Sequence, residues 1–381
     1  MRTWRHMQER PGYCFFRVLS RQEPDALASV LWMDDGAVAQ TDAVDPDDLD
    51  LLEREFRLGT VSRANFLTAG LMNRNWRVET THGKVFALKL LRDVSSETAR
   101  RSAAVQTALA AAGLPVCTPV TTRAGEPALE IGLRTYLVSP WVEGAHVEGT
   151  DLLLAEVADL GGLVGTIHEA LNDPARVPLP PADARPIARV TEPEAAVEKA
   201  ERLLARIAET SEPTAFDACA VHLLEERKLL LDKHRSGRPA DGEVPGPYGW
   251  THGDLQYRNL LRADGGITAV LDWDRVAVKP FAEEVARTAQ VQFGGEHGRL
   301  DLDRVAAFVT GYRAIVPLSR DELADAVDRL WWKRMTDYWI AEFHYYRDDH
   351  GPDSLMLPSE QLLAWWTDHR DDVAQAFAAG A

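Results

Sequence analysis

Two short polar runs joined by a hairpin constrain this chain more than any other feature of it. The first is His252-Gly253-Asp254-Leu255-Gln256-Tyr257-Arg258-Asn259, and the second is Leu271-Asp272-Trp273-Asp274. Between them, Leu260-Leu261 and Ile267 to Leu271 read as strands on either side of the turn Asp264-Gly265-Gly266. A hairpin brings its ends together, so Asn259 at the entrance and Asp272 at the exit are expected to be neighbours. An amide oxygen beside a carboxylate suits magnesium, a hard cation that takes oxygen ligands and can be held against nucleotide phosphates. Asp254, one loop earlier, is then placed to orient an acceptor hydroxyl and accept its proton. His252 is expected to support the loop by hydrogen bonding rather than to transfer a proton. Each residue alone reads as a turn cap or strand end; the combination carries the chemistry.

Upstream, the chain changes to β-type runs at Phe66-Leu67, Trp76 to Thr80 and Lys84 to Leu91, with the turn signal Thr81-His82-Gly83 before the third. In Val85-Phe86-Ala87-Leu88-Lys89, alternation puts Val85, Ala87 and Lys89 on one face. A small Ala leaves room for a flat adenine base, and Lys89 can reach the α/β-phosphates. A helix over Ser96 to Ala112 and strands at Ala128 to Ile131 and Thr135 to Val138 complete an expected small antiparallel sheet with one helix. Beyond Gly149 the patterning is mostly helical: Asp151 to Leu171, a helix started by a Thr191/Glu194 capping box, Phe216 to His234, Leu302 to Ile315, Asp321 to Tyr346 and Ser359 to Ala378.

The spacing Asp-x-x-x-x-Asn equals that of the protein-kinase catalytic loop. With His252-Gly253-Asp254, Asn259 and Asp272-Trp273-Asp274, the sequence resembles the aminoglycoside phosphotransferase and choline kinase family over roughly Phe66 to Tyr346. The resemblance implies a two-lobed α+β fold of the protein-kinase-like type, with a small antiparallel-sheet N-lobe and a mostly helical C-lobe. It also implies that Asp254 is the base, that Asn259 and Asp272 bind Mg2+, and that the nucleotide is ATP or GTP. The loop from Gly70 to Asn75 is similar to the Gly-x-x-Asn loops with which related kinases cover the phosphates, which assigns Gly70 and Asn73 to the nucleotide. By the same resemblance Ser139-Pro140-Trp141 is the hinge, where the carbonyl of Ser139 and the N–H of Trp141 would pair with the adenine edge. The expected divisions are residues 1–58 as an N-terminal extension, 59–138 as N-lobe, 139–149 as hinge and 150–381 as C-lobe. A helix Glu usually orients the strand lysine, and Glu97 is the one acidic residue of the Ser96 to Ala112 helix.

Asp272 is followed within a few residues by Lys279-Pro280-Phe281, which leaves no room for the activation segment that holds a peptide, so a small-molecule hydroxyl acceptor is expected. A net charge of −17 argues against nucleic acid or an anionic membrane as partner and suits a cationic acceptor such as an aminoglycoside or another antibiotic. Gly113-Leu114-Pro115-Val116, with the Gly70 to Asn75 loop, is also similar to type II homoserine kinases, which keeps an amino-alcohol acceptor open. Asp274, Asp337 and Glu342 are candidates to line the acceptor pocket, while Trp331, Trp332 and Trp339 read first as core packing at helical spacing. A nucleotide-binding protein without catalysis is the alternative of a different class, and the presence of Lys89, Asp254, Asn259 and Asp272 together argues against it. The first residues lack an apolar signal core and no long uncharged apolar stretch occurs, so a cytoplasmic protein is expected. Three cysteines without ligand spacing read as reduced thiols, and nothing in the sequence specifies an oligomeric state.

Overall fold

The computed structural model describes residues 43–68, 73–92, 94–295 and 298–380. Gly70 and Cys14 lie outside the described residues, as does the run Asp25 to Met33, which by sequence reads as helical.

Helix α1 (Pro46–Glu55) starts where Asp45 accepts from the N–H of Asp47 at 3.0 Å, with Pro46 at a position whose N–H has no intrahelical partner. The Asp-rich run Asp42 to Asp50, which by composition reads as a solvated linker leading into a helix over Leu51 to Phe56, is therefore already helix from Pro46. Leu52, Phe56 and Leu58 pack with Trp76, Val78, Leu88, Tyr136 and Val138. The end of the expected N-terminal extension is thus part of the N-lobe core. Buried Asp48 ties it down by accepting from the Tyr136 hydroxyl at 2.5 Å and from Arg134 at 2.7 Å.

Strands β1 (Val61–Leu67), β2 (Arg74–Thr80) and β3 (Val85–Leu91), helix α2 (Ser96–Ala111), and strands β4 (Ala128–Ile131) and β5 (Arg134–Pro140) follow. The five strands form one antiparallel sheet in the order β1-β2-β3-β5-β4. Leu88 is in the core on the α1 side, so alternation turns Ala87 and Lys89 to the opposite face, as expected from the run Val85 to Lys89.

The C-lobe begins with α3 (Leu154–Leu171), β6 (Ile187–Ala188), α4 (Pro193–Ala208), α5 (Ala215–His234) and β7 (Gly242–Glu243), the two short strands pairing with each other. Next come β8 (Tyr248–Thr251), β9 (Leu260–Ala263), β10 (Gly266–Val270) and β11 (Ala277–Pro280), with β9 pairing β10 and β8 pairing β11. Helix α6 (Phe281–Phe293), the pair β12 (Gly294–Gly295) and β13 (Arg299–Leu300), and helices α7 (Leu302–Arg313), α8 (Arg320–Thr336), α9 (Trp339–Arg347), α10 (Met356–Asp368) and α11 (Arg370–Phe377) complete it. The arrangement is the two-lobed α+β fold expected from sequence. No helix among the described residues is long and apolar enough to cross a membrane.

Three helix boundaries differ from expectation. Pro193 sets the start of α4, and its N-cap Glu192 makes no side-chain cap, so the Thr191/Glu194 box is not used. The single helix expected over Asp321 to Tyr346 is broken at Asp337, whose backbone is extended and whose carbonyl accepts from buried Arg227 at 3.0 Å. The last expected helix divides at His369 into α10 and α11.

The lobes meet behind the hairpin. Val116 bridges Val270, and the N–H of Val270 donates to the carbonyl of Pro115 at 2.7 Å, so the Gly113-to-Val116 segment lies against β10. In the C-lobe core, α3 and α7 approach so closely that a Cβ on Gly161 would meet the Phe308 carbonyl oxygen at 2.0 Å, and one on Gly311 would meet that of Ala158 at 2.0 Å. Both neighbours are helix backbone and cannot swing aside. Gly161→Ala is therefore expected to destabilise the fold by about 1–3 kcal/mol through overpacking, read as a lower midpoint in urea unfolding. An unchanged midpoint would show that the helices separate without cost.

Candidate active site

The β9/β10 hairpin turns at Asp264 and Gly265, whose φ values of 52° and 77° give the doubly left-handed turn that matches strand twist. Its base joins the two polar loops: the N–H of Leu271 donates to the carbonyl of Asn259 at 2.8 Å. The Asn259 side chain donates Nδ2 to the Asp254 carbonyl at 2.8 Å, which leaves Oδ1 as the acceptor on the other side of the amide. Asp272 adopts φ 61°, ψ 67°, a left-handed conformation that costs a non-glycine residue energy and recurs at functional sites. Trp273, buried behind it, donates Nε1 to the Val270 carbonyl at 2.9 Å and packs on the His252 ring at 4.5 Å.

His252 links both loops. Its Nδ1 accepts from the Asp254 N–H at 3.2 Å, so Nε2 carries the hydrogen donated to the Leu271 carbonyl at 3.0 Å. Burial holds the imidazole pKa below its ordinary value and keeps this tautomer neutral.

Glu284 on α6 completes the support and was not singled out from sequence. One carboxylate oxygen accepts from the His252 N–H at 3.0 Å and from His168 at 2.6 Å, and the other accepts from the N–H of Gly253. His168 in turn meets the Tyr312 hydroxyl at 2.8 Å and stacks on Phe281. Burial pushes Glu284 up, but His168, His252 and the Gly253 N–H outweigh it and hold the carboxyl below its ordinary 4.5. Gly253 has φ +87°, and a Cβ there would meet the Arg275 carbonyl oxygen at 2.3 Å, so the loop admits glycine alone without rearrangement. One signal was available in the sequence: an adjacent acidic pair, Glu283-Glu284, opens the helix that follows the second loop, and helical period turns one member inward.

Lys89 reaches across from β3. Its Nζ lies 2.7 Å from Asp272 Oδ1 and 2.5 Å from Asp274 Oδ2. Burial alone would lower the lysine pKa, yet the two carboxylates hold it above its ordinary value. Lys89 correspondingly holds Asp272 below the usual carboxylate range, while burial and the neighbouring Asp272 charge push Asp274 up. Asn73 donates Nδ2 to Asp274 Oδ2 at 3.4 Å, which brings the residue after the undescribed Gly70 region to the same cluster. The lysine is thus paired with the C-lobe carboxylates, and Glu97 is exposed.

Asp254 is held by Arg287 of α6, whose Nη2 lies 2.7 Å from Oδ1, and by Gln256 Nε2 at 3.2 Å from Oδ2. Sequence reading did not anticipate Arg287; it lies one helical turn after Glu284, so the helix face that braces the loop also presents a guanidinium to the candidate base.

Two groups of expected residues are placed differently. The N–H of Trp141 donates to the Val85 carbonyl at 3.1 Å, and the ladder alternation turns the N–H and C=O of Ser139 toward Ala87 in the same way. These groups are spent inside the sheet, and the Pro140 carbonyl faces away from β3. Asp337, between α8 and α9, accepts from the N–H of Trp339 at 3.1 Å, and Glu342 pairs with Lys199 at 2.8 Å. Neither makes a hydrogen bond to the Asp254 loop among the described residues. Trp331 and Trp332 are fully buried, whereas Trp339 is 38% exposed.

The sequence profile of the phosphotransferase enzyme family matches residues 63–318, and the chain belongs to that family. The fold and site define a small-molecule kinase. Among solved structures, an amicoumacin kinase in complex with AMP-PNP and Ca2+ is similar at 17% identity and TM-score 0.56, covering 84% of this chain and 92% of that one. A spectinomycin phosphotransferase in complex with ADP is similar at 16% identity and TM-score 0.53, covering 87% of this chain and 97% of that one. A microcompartment-associated aminopropanol kinase is similar at 17% identity and TM-score 0.52, covering 87% of this chain and 99% of that one.

The Glu284 carboxyl is depressed in the folded state, so its stabilisation is complete above its unfolded value of 4.5 and is lost as pH falls through the folded value. Glu284→Gln is expected to lower stability near pH 7 by about 2–3 kcal/mol and to flatten the loss of stability that the wild type undergoes below about pH 4.5. Urea unfolding at both ends of that range reads the difference; parallel pH dependences in the two proteins would remove Glu284 as the cause.

Proposed function

We propose that the protein transfers the γ-phosphoryl group of ATP, or of GTP, to a hydroxyl of a small molecule, with Asp254 as the base. The carrying observation is the meeting of Asn259, Asp272 and Lys89 at the base of the hairpin, one loop from Asp254. The acceptor oxygen attacks the γ-phosphorus, the bond to the β-bridging oxygen breaks, and the hydroxyl proton passes to Asp254 as the nucleoside diphosphate leaves. The donor set of an amide oxygen and a carboxylate fits magnesium, so Asn259 and Asp272 would hold the ion, which when bound neutralises phosphate charge. Lys89 then exchanges its carboxylate partners for phosphate oxygens, and Asn73 with Gly70 covers the phosphates. The adenine edge is assigned to the Pro140 carbonyl and the Val142 N–H, one residue beyond the Ser139/Trp141 pair read from sequence, because the groups of that pair bond within the sheet, whereas the Pro140 carbonyl accepts only from the weak Cys117 thiol donor at 3.3 Å.

Two acceptor readings are carried by different observations. The net charge of −17 suits a cationic antibiotic of the aminoglycoside kind. The guanidinium of Arg287, 2.7 Å from Asp254, favours an amino-acid alcohol instead. An acceptor hydroxyl bound to Asp254 competes with Arg287 for the carboxylate oxygens, and an acceptor carboxylate would then take the guanidinium in a charge-assisted bond.

Asp254→Ala is expected to reduce transfer by about 10²–10⁴-fold with nucleotide affinity nearly unchanged, and Asp272→Ala to weaken magnesium-dependent nucleotide binding itself. Turnover equal to wild type in Asp254→Ala would end the assignment of the base. A panel of aminoglycosides and amino-acid alcohols, read by mass gain of one phosphate, separates the acceptors. If the carboxylate reading holds, Arg287→Met raises KM for the carboxylate-bearing acceptor by about tenfold or more; if KM stays level, Arg287 does not touch the acceptor.

A further inference from the structure

We propose that His344, His350 and Asp353 form a binding site for a divalent transition ion of the zinc class, remote in sequence from the Asn259/Asp272 pair. The three residues sit at the end of α9 and in the connection to α10, where Asp348 takes a left-handed φ of 52° and turns the chain back on itself.

Three ligand atoms converge there. His344 Nδ1 lies 2.8 Å from Asp353 Oδ2, His350 Nδ1 lies 3.0 Å from His344 Nδ1, and His350 Nδ1 lies 3.4 Å from Asp353 Oδ2. A tetrahedral ion with bonds of about 2.0–2.1 Å holds its donors about 3.3 Å apart, close to these separations. Hydrogen bonding can pair two of these three contacts at a time, through one shared hydrogen. If both ring nitrogens carry a hydrogen, the two N–H groups oppose each other at 3.0 Å. If one does, the other nitrogen and the carboxylate meet lone pair to lone pair. A cation satisfies every contact at once.

The surroundings are those of a ligand set. Asp348 Oδ1 lies 3.3 Å from His350 Nε2, the carboxylate–imidazole arrangement that puts the hydrogen on the outer nitrogen and aims the inner lone pair at a metal. The His344 ring is fixed by stacking on Phe216 at 4.2 Å and by an edge contact with Tyr345 at 4.5 Å. Asp353 Oδ1 is buried with no hydrogen-bond partner, so a second carboxylate oxygen is available to the ion. Two imidazoles and a carboxylate match a borderline ion such as zinc better than magnesium or calcium, which take oxygen sets. His350 is 57% exposed on its side chain and provides the way in. With three protein ligands, water completes the coordination. The bound ion ties the turn at residues 348–353 to α9, which Lys199–Glu342 and Tyr345–Asp217 already join to α4 and α5.

Equilibrium dialysis of the untagged full-length protein against zinc, with metal analysis, tests this. The wild type is expected to hold one equivalent more than His350→Ala/Asp353→Asn, and cobalt to give a low-coordinate visible spectrum that the double variant lacks. Asp348→Asn, on a 97% exposed side chain, is expected to weaken zinc binding by about tenfold through the ring it orients while leaving the melting temperature without metal unchanged. Zinc should raise the melting temperature of the wild type and not of the double variant. Equal zinc uptake by wild type and double variant, or none by either, would mean a hydrogen-bonded His/Asp cluster and no metal site.

Discussion

A carboxylate buried without compensation would be pushed up in pKa or would unfold its surroundings, and Glu284 is instead held ionised because donors converge on both of its oxygens. His168 and the backbone N–H groups of His252 and Gly253 converge on it. The position of Asp254 follows from this. Gly253 is held in a left-handed conformation that its neighbour Arg275 makes intolerant of any side chain, and the next residue emerges into the cleft. His252 carries the constraint onward through Leu271 and Trp273 to the loop of Asp272, so the two polar runs behave as one unit braced by α6.

Charge balance is the second constraint. In the protein alone, Lys89 is matched by Asp272 and Asp274, and Asp254 by Arg287 and Gln256. Each of these buried or half-buried charges therefore has a counter-charge or donor within the protein itself. The left-handed backbone at Asp272 belongs to the same logic, since strain of this kind persists where the surroundings over-determine it.

Local chemistry made much of the cleft legible. The turn residues Asp264 and Gly265 specify a hairpin, and a hairpin brings Asn259 to the start of the second loop whatever surrounds it. Alternation in β3 turned Lys89 to the cleft because the opposite face carries Leu88 into the core. Failures came where the deciding partner is distant in sequence. The acidic run before Glu55 looks solvated until Tyr136 and Arg134 receive Asp48. Ser139 and Trp141, assigned to the adenine edge by resemblance, spend their backbone groups on β3, because ladder parity depends on pairing with that strand. Glu342, a pocket candidate by its charge, meets Lys199 of α4, far from it in sequence.

Sequence by itself determined the elements whose rules are local: the hairpin, the β3 face and the helix stop at Gly113. These depend on backbone conformation and period, which act over a few residues. Tertiary structure alone decided which carboxylate braces the Asp254 loop, which guanidinium meets Asp254, and which carboxylates neutralise Lys89. Such pairings join residues far apart in the chain, and a buried charge is satisfied by whichever donor the packing delivers, information that no local pattern holds.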